Sequence, residues 1–162
     1  MVDKKEHIIS LLVRNEPDVL ARIAGALGGK GYNIESLCVN ATADYKISRI
    51  VLTTRGNQAT LNRIEKLLHK QIDVIQVDVI SGDKFVRKEL TLARVKISEE
   101  TRSKIAVDID SYKWKVVWLK GDTLILEITA DKDEMNQILQ HLSGLGMEDY
   151  TRTGVISIEQ VS

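Results

Sequence analysis

The feature that most constrains this chain is an order of apolar segments (strand, helix, strand, strand, helix, strand) met twice within 162 residues. HIISLLVR (7–14) is short and rich in branched apolar residues, as a strand requires. Asn15 to Asp18 predicts a turn, because Asn and Asp bond to the nearby backbone and Pro17 fixes its own φ. From Val19 onward, Leu20, Ile23, Ala24 and Leu27 fall on one helix face. Gly28, Gly29 and Gly31 then stop the helix, since glycine takes left-handed C-terminal conformations cheaply. YNIESLCVNAT (32–42) and ISRIVLTT (47–54) read as a hairpin. Residues 57–70 read as a second helix, with Leu61, Ile64, Leu67 and Leu68 on one face, and IDVIQVDVI (72–80) as a fourth strand.

The order then recurs. LTLARVKI (90–97) predicts a strand, Glu99 to Asp110 a helix, WKVVWL (114–119) and TLILEIT (123–129) a hairpin around Gly121-Asp122, Lys132 to Leu142 a helix, and GVISIEQV (154–161) a last strand. The expected fold class is α+β: two tandem ferredoxin-like βαββαβ domains, each an antiparallel sheet in the order 4-1-3-2 with both helices on one face. The boundaries that follow are 1–80 for the first domain, 81–89 (SGDKFVRKE) for a polar linker or a lead into the next strand, and 90–162 for the second domain.

Composition removes several function classes. Lys plus Arg and Asp plus Glu both number 23, so no net field draws in nucleic acid or an anionic membrane. RNA-binding modules with this element order stack bases on sheet aromatics, whereas aromatics here are 4% and Phe85 is the sole phenylalanine. Cys38 is the one cysteine, which excludes an internal disulfide and fits a reducing compartment. No apolar run reaches membrane-spanning length and no signal peptide precedes the first strand, so the expected location is cytoplasmic.

Familiar catalytic patterns fail on inspection. GALGGKG resembles a phosphate loop, but Gly31 follows Lys30 where Ser or Thr is needed. Its glycines also follow a helix, at the negative end of the dipole. His7, His69, His141 and Cys38 lack metal-ligand spacing. Asp108, Asp110 and the run DKDE (131–134) read as a solvated face, with Asp131 capping the following helix. No residue set supports catalysis or a bound cofactor.

The stretch from Asn15 to Ile34 carries more. In a 4-1-3-2 sheet, strands 1 and 2 run the same way, so the Asn15–Asp18 turn and Asn33 lie at opposite ends. A helix of about 12 residues separates them by on the order of 18 Å, too far to share a small ligand within one chain. Strand 2 is an exposed edge, and edges invite pairing. Antiparallel pairing of two chains along it brings Asn33 of one to the Asn15–Leu20 turn of the other, making two equivalent sites. Each site offers helix-start N–H groups for a carboxylate and amide oxygens of Asn15 and Asn33 for an ammonium, walled by Leu20 and Ile34. That is an amino-acid pocket. The plain alternative is that Asn15 shapes its turn and Asn33 starts its strand.

The run HIISLLVRNEPDVLARIAGALGGKGYNIESLCV resembles the N-terminal ACT domain of acetolactate synthase small subunits, with GYNIESL following NEPDVLARI as the specific signature. The likeness continues through SRIVLTT, IEKLLHKQIDVIQV and RKELTLARVKI, and weakly at TRTGVISI. It implies a non-catalytic regulatory subunit, dimeric through its first domain. Such a subunit activates the catalytic subunit and makes it sensitive to branched-chain amino acids, usually valine. Thiamine diphosphate, flavin (FAD) and magnesium then belong to the catalytic partner, with no cofactor in this chain. By position, the effector would meet Asn15, the backbone of Asp18, Val19 and Leu20, and Asn33 with Ile34 of the other chain. The alternative is a free-standing amino-acid-sensing ACT protein that regulates another enzyme or a transcriptional system. This sequence departs from the family where Asp18 replaces a usual glycine: either the acid only favours the helix start, or its carboxylate repels the effector's, which implies weak or absent valine control. It departs again where Lys113-Trp114-Lys115 stands at the place of Gly31-Tyr32-Asn33, which implies no second effector site in that half.

Overall fold

The computed structural model describes residues 5–80 and 84–160. The elements in order are β1 (Lys5–Arg14), α1 (Val19–Gly28), β2 (Ser36–Ala41), β3 (Ile47–Gly56), α2 (Gln58–His69), β4 (Val74–Ile80), β5 (Phe85–Lys96), α3 (Glu99–Tyr112), β6 (Lys115–Lys120), β7 (Thr123–Ala130), α4 (Lys132–Ser143), β8 (Met147–Arg152) and β9 (Ile156–Glu159). They form two compact units, Met1–Val86 with Val155–Ser162, and Arg87–Gly154. The strand orders are β2-β3-β1-β4 and β6-β7-β5-β8, antiparallel throughout. Each reads 4-1-3-2 within its repeat, so the fold is a tandem of ferredoxin-like units.

In the first unit, Ile9, Leu11 and Val13 of β1 pack with Ile23 and Leu27 of α1 and Leu61, Ile64 and Leu68 of α2. The opposite face of the same strand is covered too, because Ile8 joins Val51 and Ile80 beneath Phe85 and Val155. That is why HIISLLV reads as a nearly continuous apolar run rather than an alternation. In the second unit, β5 alternates cleanly: Ala93 and Val95 are buried in the helix-side core, while Leu92, Arg94 and Lys96 on the other face are exposed.

Two sequence expectations are corrected. GVISIEQV was expected to close the second repeat, but the fourth place beside β5 is taken by β8, MEDYTR. β9 pairs with β5 and clusters with the first unit, where Val155 is buried. β8 is an edge strand with most of its residues exposed, so it has no apolar alternation to betray it. The polar segment before residue 90 was expected as a linker or a lead into the next strand; the linker is corrected, because β5 begins at Phe85. Its Glu89 is 2% exposed and ion-paired with Arg152, whose Nη1 donates to Asn136 Oδ1 at 3.0 Å. A carboxylate tolerates such burial only when paired, and single-sequence reading does not see the pair. Residues 81–83 of that segment and residue 161 of the expected last strand lie outside the described residues.

The repeats share local devices. Each first strand slips register against its fourth, between Leu12 and Val13 and between Arg94 and Val95. At the slip, Arg14 N–H donates to Asp73 O and Lys96 N–H to Gly146 O, both at 2.9 Å. Each first helix is followed by a left-handed residue, Gly31 at φ 73°, three residues past α1, and Lys113 at φ 56°, directly after α3. The following N–H reaches back into the last turn, Tyr32 to Leu27 O and Trp114 to Ile109 O, both at 3.1 Å.

The helix starts differ. Ser98 closes α3 with a capping box to Thr101, whereas α1 has no side-chain cap. Replacing Ser98 with Ala is expected to cost about 1 kcal/mol, read as a lower urea midpoint; an unchanged midpoint would mean that Thr101 alone holds the turn.

Candidate functional site

The six residues singled out by sequence lie at the two ends of the first sheet. Asn15 follows β1 and is pinned to the β2–β3 hairpin: its backbone N–H donates to Lys46 O and its Nδ2 to Tyr45 O, both at 2.8 Å. Its Oδ1 is thereby left as an acceptor. The part played by Tyr45 and Lys46 was missed in the sequence, where only the hairpin itself was visible.

Asp18 stands at the start of α1 with φ 66° and ψ −4°, a left-handed conformation, and its side chain makes no capping bond. This region costs most L-residues about 1–2 kcal/mol, with Asp and Asn among the more tolerant. The glycine expected here from the family resemblance is the residue the backbone calls for. Val19 N–H donates to Glu16 O at 3.4 Å, and without a side-chain cap the next N–H groups of α1, ahead of Arg22, remain for solvent or an anion. The helix start is held instead by Arg22, which donates twice to Asp73 Oδ2, at 3.1 and 2.6 Å. Asp73 is 9% exposed and directly precedes β4.

Val19 is buried in the helix-side core, and its N–H is the one taken by Glu16 O. Leu20 is 40% exposed. Asn33 is exposed and its carbonyl accepts Thr54 Oγ1 at 2.7 Å. Ile34 packs on the margin of the core.

The register keeps the two ends apart within one chain. Arg14 lies opposite Ile47 and Ser36 opposite Thr53. Six residues of β3 separate those positions, roughly 20 Å at ~3.4 Å per residue. Between them runs β2, SLCVNA, an uncharged edge. Its Leu37 and Val39 sit opposite buried Leu52 and Ile50, yet are 37% and 38% exposed.

The remaining titratable candidates serve local structure. His141 Nε2 lies 2.8 Å from Asp108 Oδ2 and His7 Nε2 2.9 Å from Gly56 O. Asp131 caps α4 by accepting Glu134 N–H. Among the described residues, no group of three or more His, Cys, Asp and Glu is placed to hold a metal ion. No described helix is long and apolar enough to cross a membrane.

Comparison with known proteins gives this arrangement a context. A model of the AHAS small subunit-like ACT domain matches residues 9–76, and a model of the small subunit of acetolactate synthase matches residues 88–161. The acetolactate synthase small subunit of Mycobacterium leprae is 32% identical over 160 residues, covering 99% of this chain and 95% of that protein. The chain belongs to the acetolactate synthase small-subunit family. The small subunit of Aquifex aeolicus is 34% identical over 157 residues, 96% of this chain and 82% of that one. The crystal structure of the acetolactate synthase small subunit of Thermotoga maritima superposes with a TM-score of 0.90 at 26% identity, covering 98% of this chain and 99% of that one. The acetolactate synthase small-subunit fold therefore extends over both units, and all six candidate residues fall inside the ACT-domain match.

Proposed function

We propose that this chain is a non-catalytic regulatory subunit that activates an acetolactate synthase catalytic subunit. It adjusts that partner to a branched-chain amino acid, valine first, bound between two copies of the first unit. The observation that carries the site is the uncharged, half-exposed edge β2 lying between Asn15 and Asn33. In the two-fold antiparallel register that pairs all six residues of β2, Ser36 faces the partner's Ala41 and Cys38 the partner's Val39. No charges are opposed. Extended back along the strand, the same register brings Asn33 level with the partner's Asp44, beside the Tyr45 carbonyl to which Asn15 is bonded.

The chemistry of each group follows. The uncapped start of α1 offers N–H groups and a positive dipole end to the effector carboxylate. Oδ1 of Asn15 and the amide of Asn33 accept from its ammonium. Leu20 and Ile34 take the branched side chain. The thiamine diphosphate, flavin and magnesium implied by the resemblance are assigned to the catalytic partner, so the small chain would act only through that partner's conformation.

The test is a thermal melt of the chain against valine, leucine, isoleucine and unrelated amino acids, alongside an assay of the purified catalytic subunit with and without the chain. A ligand at a hundred times its dissociation constant adds about 2.7 kcal/mol. The expected result is a rise in melting temperature selective for branched side chains, and higher acetolactate synthase activity in the mixture. A catalytic subunit that neither binds the chain nor changes rate would defeat the proposal.

A further inference from the structure

We propose that the lysine-flanked edge β6, with the helix-free face of the second sheet beside it, docks a carboxylate-flanked apolar strand of the catalytic partner. This rests on the regulatory-subunit reading and names the surface through which that partner is held. β6 is the terminal strand of its sheet. All six of its residues, KVVWLK, are exposed, including Trp118 at 45% and Leu119 at 62%. An edge so apolar is an aggregation hazard unless something pairs with it. Pairing opposite Ile125 and Glu127 puts Trp118 and Lys115 on the helix-free face, the face that also carries exposed Leu92. An exposed tryptophan on a strand with a lysine at each end has the makeup of an interface anchor.

The charges decide between occupants. KWKVVWLK (113–120) holds three lysines and no acid. In the two-fold register that pairs all six residues of β6 with a second copy, Lys115 of each chain faces Lys120 of the other. Like charges directly opposite are destabilising in a sheet. β2, by contrast, opposes no charges when it pairs with a second copy of itself; β6 is closed to its own kind. Its fit is a partner whose apolar strand carries Asp or Glu at both ends, adding a strand by main-chain bonds while the lysines set register and orientation. Within the chain, Lys113 lies 3.3 Å from Asp110 and Lys115 lies 3.8 Å from Glu127, both pairs at the surface. Such pairs contribute little and exchange readily for interfacial ones.

The experiment titrates the purified acetolactate synthase catalytic subunit with the full-length chain at low and moderate salt. It compares the native protein with Lys115→Glu/Lys120→Glu and with Trp118→Ser, reading affinity, melting temperature and the mass of the free chain. All three positions are exposed, so both variants are expected to keep the native melting temperature and mass. The lysine reversal is expected to weaken association at least tenfold and to flatten its salt dependence, and Trp118→Ser to weaken it at either salt. Unchanged affinity in both folded variants overturns the docking surface. So does concentration-dependent self-association of the native chain that the lysine reversal removes, since a second copy would then be the occupant. A native chain that fails to bind the catalytic subunit at all overturns the regulatory-subunit reading, and this inference with it.

Discussion

Replacing Asp18 with glycine is expected to tighten valine binding by a factor between about five and a thousand. In the proposed site the effector's carboxylate is drawn to the start of α1, where no side chain caps the helix, and Asp18 already places a negative charge at that point. Two like charges ~4 Å apart repel by about 1 kcal/mol in water and by about 4 kcal/mol at an effective dielectric of ~20. Each 1.4 kcal/mol is about tenfold in affinity. The range follows from how far solvent reaches an exposed carboxylate at a partly closed interface. The backbone does not oppose the change, because φ 66° at this position is open to glycine without a Cβ penalty. Titration calorimetry of the native chain, Asp18→Gly and Asp18→Asn against valine separates the causes. Asn keeps the size of the side chain and its tolerance of left-handed backbone, but removes the charge. Recovery in both variants assigns the effect to charge, and recovery in glycine alone assigns it to bulk. Equal affinity in all three means that the Asp18 carboxylate points away from the effector.

What the sequence made legible is what periodicity and turn chemistry encode. The two helices of the first unit follow from apolar spacing, and their ends from Asn57 and the glycines after Leu27. The repeat was legible because both halves use one element order. The left-handed backbone at Asp18 was not, since an acidic residue before a helix ordinarily reads as a favourable cap. Here φ is set by the path from the turn into α1, with Arg22 and Asp73 anchoring the helix. β8 was hidden for a different reason. Its place is decided by one neighbour, β5, and by Arg152 reaching Glu89, which are relations between residues roughly fifty to sixty positions apart. β9 was visible as a strand but not as to its place, because GVISI fits any apolar face of suitable length. Here it accompanies Val155, which meets Ile8, Val51 and Ile80 of the first unit. The candidate site divides along the same line. Its residue types were readable, but the pinning of Asn15 by Tyr45 and Lys46 required the register of the hairpin.

The Gly146→Ala variant is expected to unfold the second unit under conditions where the native unit is folded. Gly146 sits at the register slip between β5 and β8 with φ 100°, and a Cβ there would stand 2.3 Å from Lys96 O. Its own carbonyl accepts Lys96 N–H at 2.9 Å, so the added methyl meets the strand that the residue must hold. The left-handed backbone costs alanine about 1–2 kcal/mol. Relieving the clash moves main chain rather than a flexible side chain and weakens that bond, which brings the expected loss to about 3 kcal/mol or more. A unit the size of Arg87–Gly154 has a core that rarely supplies more than about 3–5 kcal/mol, so the loss is comparable with its whole stability. The first unit solves the same slip with Asp73, which lies within the turn closed by Val74 N–H to Gln71 O and, with no positive φ, needs no glycine. Gly25→Ala is the matched control: nothing lies within 4 Å of its added Cβ, and alanine in a helix interior is favoured by about 0.8–1 kcal/mol. Urea unfolding with hydrogen exchange resolved along the chain reads both. The expected pattern is early exchange of β5 to β8 in Gly146→Ala with the first unit still protected, and a raised midpoint in Gly25→Ala. A Gly146→Ala chain with native protection throughout would show that the slip between β5 and β8 adapts, and that Lys96 O does not stand where the methyl group must go.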